Sequence, residues 1–104
     1  MPSPAILRSN QMPVKLTLTT SDGSDYPYKL VKSWGHTFNE TNLSKTVLQA
    51  NTETSFTTIK YFADEDALAA YRSDNADVLT SFNAKKTSNS LTVARTTETV
   101  DSIP

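Results

Sequence analysis

The chain has no cysteine, and only two of its 104 residues, Gly23 and Gly35, are glycine. The first absence removes disulfides, thiolate metal sites and cysteine nucleophiles. The second removes the glycine-clustered loops that cradle phosphates and dinucleotides, so no cofactor is expected. An excess of charge of one sign is also missing: ten basic residues face eleven acidic ones, the net charge is −1, and neither sign forms a block. Without a basic footprint there is no specific nucleic-acid surface and no anionic-membrane surface. No apolar run is long enough to span a bilayer, and the start lacks the hydrophobic core of a signal peptide, which reads as a soluble, untargeted protein.

What the chain has in quantity is threonine, 16 residues. Threonine suits pleated, half-buried strands and disfavours helix interiors, so its spread marks β structure over most of the sequence. The exception is residues 57–82, TTIKYFADEDALAAYRSDNADVLTSF. Residues 56–62 carry apolar side chains on both alternating sets, Ile59 and Tyr61 against Phe56 and Phe62, which predicts an interior strand. Asp64 follows as an N-cap, with Glu65 and Asp66 at the positive end of the helix dipole. Leu68, Tyr71, Asn75, Val78, Leu79 and Phe82 then form one stripe at three- and four-residue spacing, and Lys85 and Lys86 suit the last turn of a helix over about 64–86. Ser73, Asp74 and Asn75 compete for backbone hydrogen bonds, so the helix is either continuous with a kink or split, with Asp74 as a second cap.

Residues 1–13, with three prolines and the apolar cluster Ala5-Ile6-Leu7, read as an extended arm. Residues 14–20 alternate Val14, Leu16 and Leu18 with polar partners. Asp22-Gly23 supplies a turn, and residues 26–34, YPYKLVKSW, read as the returning strand with Tyr26, Tyr28, Leu30 and Trp34 on one side. A strand over 46–49 is expected to hairpin through Asn51-Thr52-Glu53 onto residues 56–62. Residues 91–100 form a last strand, and 101–104 a short tail. The expected fold is α+β, β-β-β-β-α-β, a mostly antiparallel sheet with one helix on one face. Residues 14–100 make a single domain between arm and tail.

Candidate chemistry is sparse. His36, the single histidine, could serve as a general base, but a loop histidine accounts for it without a pocket. The pairs Asp64/Asp66 and Asp74/Asp77 sit where helices start, so capping explains them without a metal. Tyr26, Tyr28, Trp34, Tyr61 and Phe62 suit core packing or subunit contact better than base stacking, which needs a basic groove. Asn39-Glu40-Thr41 and Asn42-Leu43-Ser44 match the glycosylation pattern by chance in a chain rich in threonine and serine. No catalytic, cofactor-binding or metal-binding residue is assigned.

Two resemblances bear on function. The segment IKYFADEDALAAYRSDNADVLTSF resembles the strand-to-helix unit of dimeric α+β barrel proteins, including the small monooxygenase-like family. That likeness implies a helix after the first strand, where the alternation reads a hairpin, and pocket residues drawn from Trp34, His36 and Tyr61. The texture of the whole, cysteine-free and threonine-rich with a proline-bearing arm, is similar to small phage virion proteins. From these we expect a non-enzymatic structural or assembly subunit, such as a phage coat or decoration protein. It would contact itself or another structural protein through Ile6, Leu7, Tyr26, Tyr28, Trp34, Val100 and Ile103. The alternative is a cofactor-free dimeric α+β barrel enzyme or small-ligand-binding protein.

Overall fold

A computed structural model describes residues 11–23 and 25–104. The elements are β1 (Val14–Ser21), α1 (Pro27–Ser33), β2 (Lys45–Asn51), β3 (Ser55–Phe62), α2 (Glu65–Asp74), α3 (Ala76–Ser88) and β4 (Thr92–Thr99). The strands form one sheet in the order β2-β3-β1-β4, with every neighbouring pair antiparallel. This is the βαββαβ, ferredoxin-like arrangement with its second helix divided in two. The α+β class, the antiparallel sheet and four of the five expected strands follow the sequence expectation.

One element does not. Residues 26–34 are no returning strand; Pro27–Ser33 is a helix, so the expected 14–34 hairpin is absent and β1 pairs instead with β3 and β4. Pro27 stands in the first turn, where its missing N–H is no loss and its fixed φ is already helical. Tyr26 before it takes φ 53°, and its amide donates to Glu53 O at 2.8 Å, which ties the helix start to the β2–β3 turn. Gly35, at φ +70°, closes the helix with its amide on Lys32 O at 3.2 Å, the left-handed ending that glycine takes without strain. Within this helix Tyr28, Val31 and Lys32 share one face, whereas strand alternation would have put Val31 on the opposite side from the other two.

The core is built from β1, β3 and α2. Val14, Leu16, Phe62, Leu68 and Tyr71 form its buried centre, with Phe62 fully enclosed. Central β3 is buried on both sides, as its double apolar pattern predicts: Phe56, Lys60 and Phe62 face the helices, Ile59 and Tyr61 the opposite side. Asp64 caps α2, accepting a hydrogen bond from the Ala67 amide at 2.8 Å. The single helix expected over 64–86 breaks at Asn75, and α3 runs on to Ser88. The second cap residue is Asn75 itself, not Asp74.

Asn75 is 2% exposed, and its side chain bonds both back to α2 and across to the connection after α1. Its Oδ1 accepts from the Asn39 amide at 2.6 Å, while its Nδ2 donates to Asn39 O at 2.9 Å and Tyr71 O at 2.8 Å. The amide group thus pairs with residue 39 much as a neighbouring strand would. It fixes the connection between α1 and β2 over the junction of α2 and α3. At the far end of the chain, the Val100 amide donates to Pro13 O at 2.9 Å, and Lys45 Nζ donates to Pro104 O at 2.8 Å.

Candidate functional site

Between the helix-facing side of the sheet and the three helices lies a cleft with two lobes, each with about 280 Å³ of room. One lobe is bounded by α1, the β2–β3 hairpin and the connection after α1, through Tyr28, His36 and Phe56. The other runs beneath α2 and α3 to β4, past Tyr71, Leu79 and Arg95. Leu18, Phe38, Lys60, Phe82 and Lys86 line both and form the waist. Phe82 anchors this waist in edge-to-face contacts with Trp34, His36 and Phe38 at centroid distances of 6.0, 5.1 and 5.3 Å. A more open groove of about 330 Å³ between α2 and β4 is edged by Glu65, Arg72 and Glu98, all exposed.

Two lysines enter the cleft from opposite walls. Lys60 belongs to the inward set of β3. Its Nζ donates to Tyr71 Oη at 3.2 Å and stands 5.1 Å from the Phe38 ring centroid and 5.4 Å from that of Tyr71. Lys86, on the last turns of α3, is 5% exposed; its Nζ lies 4.3 Å from the Phe82 ring centroid and reaches Thr20 Oγ1 at a long 3.4 Å. Neither is in an ion pair; the ion pair among the described residues is Lys15–Glu98, on the other face of the sheet. Burial lowers the pKa of Lys60, offset in part by the Glu40 carboxylate. It lowers that of Lys86 further, to about 8, and the nearby charges of Arg95 and Lys60 push the same way. Tyr71 moves upward through burial and the field of Glu40. A buried amine that is partly neutral near physiological pH can take up a proton, while the ammonium across the cleft holds an anion.

His36, read from sequence as a loop histidine, lines the first lobe. Its Nε2 is 3.4 Å from Ser81 Oγ, and its Nδ1 is buried without a partner. Trp34 packs beside His36 at 6.1 Å between centroids. Tyr61 is buried on the face of the sheet away from the cleft, so of the three pocket residues implied by the barrel resemblance only His36 lines the cavity. Among the expected interface residues, Ile6 and Leu7 lie outside the described residues, as does most of the arm. Tyr26 is 51% exposed, Tyr28 stacks inward on Phe56 at 5.2 Å, and Val100 and Ile103 are half-buried on the tail. Of the acidic pairs, Asp64 caps α2 and Asp74 Oδ2 accepts from Asn42 Nδ2 at 2.9 Å, and the described residues hold no cluster of three or more potential metal ligands.

Sequence reasoning missed Lys60, Lys86, Phe38, Tyr71 and Arg95 as a group. A signal was present: Lys60 falls on the same alternating set as Phe56 and Phe62, and Lys86 continues the stripe Leu79, Phe82 by four residues. A charged residue at a core position is the informative exception to burial of apolar side chains.

No family model matches the sequence, and no curated protein does. Two solved structures share its fold. One is a mutant of SnoaB, a cofactor-independent oxygenase from Streptomyces nogalater, with TM-score 0.56 and 15% identity over 89% of this chain and 96% of that one. This chain folds like SnoaB. The other is NE2512, a protein of unknown function from Nitrosomonas europaea, with TM-score 0.55 and 11% identity over 91% of this chain and 97% of that one. SnoaB is an enzyme and neither neighbour is described as a coat or decoration protein, so the expected non-enzymatic phage subunit is overturned in favour of the enzyme or ligand-binding alternative, and a virion location and structural-protein partners find no support. No helix among the described residues is long and apolar enough to cross a membrane.

Proposed function

We propose that the protein is a cofactor-free enzyme that binds a small aromatic molecule with a weakly acidic O–H or C–H group in the two-lobed cleft. The observation that carries this reading is the pair of lysines, Lys60 and Lys86, withdrawn from water into an aromatic-walled cavity without a carboxylate partner. In such a cavity Lys86 Nζ accepts the proton of the bound molecule and becomes an ammonium. Lys60 and Arg95 then stabilise the resulting anion in a medium that screens charge poorly. An oxygenase without a cofactor needs its substrate in this ionised, electron-rich form, because the substrate itself must give electrons to dioxygen. The fold likeness to SnoaB supports oxygen chemistry as the reaction.

The test uses 2-naphthol, whose ionised and neutral forms differ in absorbance, with Trp34 fluorescence as a binding reporter. Binding at pH 7.5 is expected to raise the naphtholate fraction well above that in free solution. Oxygen uptake with 1,5-dihydroxynaphthalene is expected to be faster with the protein and to fall about 100-fold in Lys86→Met. A bound naphthol that stays neutral would sink the proton-transfer role.

We further propose that the working unit is a homodimer. Edge strands β2 and β4 are exposed along nearly their whole length, which a second copy would cover, as the barrel resemblance implies. Light scattering is expected to give twice the chain mass; a monomer at micromolar concentration would remove the dimer.

A further inference from the structure

We propose that Lys86 captures carbonyl compounds, condensing through its Nζ with an aromatic aldehyde or ketone bound in the cleft to form an imine. The inference rests on the cleft being a ligand site and not on oxygen chemistry. Three observations support it. Lys86 is nearly enclosed, yet it lines both lobes of the cleft and a third cavity beside Thr87, Leu91 and Val93, so room adjoins it on several sides. Its one polar contact is the long one to Thr20 Oγ1, a hydroxyl that is itself fully buried. The charged and titratable groups that line those cavities with it are Lys60 from β3, Arg95 from β4, Tyr28 and Lys32 from α1, His36 from the connection after α1, and Tyr71 and Arg72 from α2. Among the described residues no carboxylate lines any of the three, so only the Phe82 ring face and the Thr20 hydroxyl meet the ammonium form there.

Chemically, the neutral amine adds to the carbonyl carbon, and a proton moves from nitrogen to the former carbonyl oxygen. The carbinolamine then loses water, so amine plus carbonyl yields imine plus water with no oxidant or reductant. Thr20 Oγ1 is positioned to relay the proton, and the Phe82 ring face favours the cationic form of the product. The amine of a lysine in water is almost wholly protonated at neutral pH, whereas a pKa of about 8 leaves Lys86 a neutral fraction about 100-fold larger.

The experiment incubates the full chain with 2-naphthaldehyde and sodium cyanoborohydride at pH 7.5, then reads intact mass and maps the modified peptide. One adduct per chain is expected, at Lys86, forming about 100-fold faster than at any exposed lysine. Lys86→Arg is expected to abolish it with the far-ultraviolet circular dichroism unchanged, and Lys85→Arg to leave it intact. The rate at Lys86 is expected to climb through pH 8 and level off above it. Modification spread over the exposed lysines, or none at Lys86, overturns the proposal. If 2-naphthol still binds in that case, only carbonyl capture has failed; if neither compound binds, the ligand cleft fails with it.

Discussion

Replacing Lys86 by methionine together with Thr20 by valine is expected to make the protein more stable at pH 7, by about 2 kcal/mol, while destroying the chemistry of the cleft. The two changes belong together, because methionine alone would leave the buried Thr20 hydroxyl without its partner. A lysine whose pKa drops from 10.5 to about 8 on folding carries a penalty on its charged form of at most about 3 kcal/mol. Water reaching the ammonium through the cleft reduces that figure. The sign follows from proton binding: between about pH 8 and 10.5 the unfolded chain holds a proton on Lys86 that the folded chain has released, so the stability of the unaltered protein rises with pH across that window. The advantage of the double variant is therefore full at pH 7 and shrinks as pH climbs past 8. Lys60, lowered in the same direction, adds to the rise in both proteins, and Tyr71, raised by burial, opposes it above about pH 10. Urea unfolding at pH 7, 8.5 and 10 reads the difference. A variant less stable than the parent at pH 7, or a gap independent of pH, would mean that Lys86 is not held at a cost.

The second large effect is expected at the helix junction. Asn75→Ala removes three hydrogen bonds made by a side chain that is 2% exposed, two of them to the backbone of the exposed Asn39 and one to Tyr71 O within α2. A loss of about 3 kcal/mol is expected from three bonds at about 1 kcal/mol each. Asp74→Ala, which removes only an exposed bond to Asn42, is expected to cost less than about 0.5 kcal/mol. The functional consequence separates Asn75 from an ordinary core residue. The connection it fixes carries His36 and Phe38 into the cleft, so Asn75→Ala is expected to weaken 2-naphthol binding and to speed hydrogen exchange at the Asn39 amide. Unchanged binding in a folded Asn75→Ala protein would show that the connection keeps its place without this bond.

A static cost at the site is consistent with a functional reading of both residues. Two amines held out of water and a histidine nitrogen buried without a partner are arrangements that folding alone does not favour. They become favourable when a ligand supplies the missing acceptor or proton.

The sequence by itself determined the strands β1, β2, β3 and β4, the Asp64 cap and the stripe of α2 and α3, because each is a local pattern: alternation, a capping carboxylate or a three-and-four spacing. It also carried the fault at Asn75, since consecutive residues that compete for backbone bonds weaken a helix wherever they occur. The α1 helix was open to reading in Pro27 and Gly35, but the nine residues 26–34, with Tyr26, Tyr28 and Trp34 at even spacing, fit a strand as well as two helical turns, and only the sheet order, with β1 taken on both edges by β3 and β4, decides between them. The cleft belongs wholly to the tertiary structure. Lys60, Lys86, Phe38 and Arg95 lie on four separate segments. No local pattern brings them together; the cleft that buries Lys86 and half-buries Lys60 and Phe38, with the exposed Arg95 at its edge, is created only when three helices close over one face of the sheet.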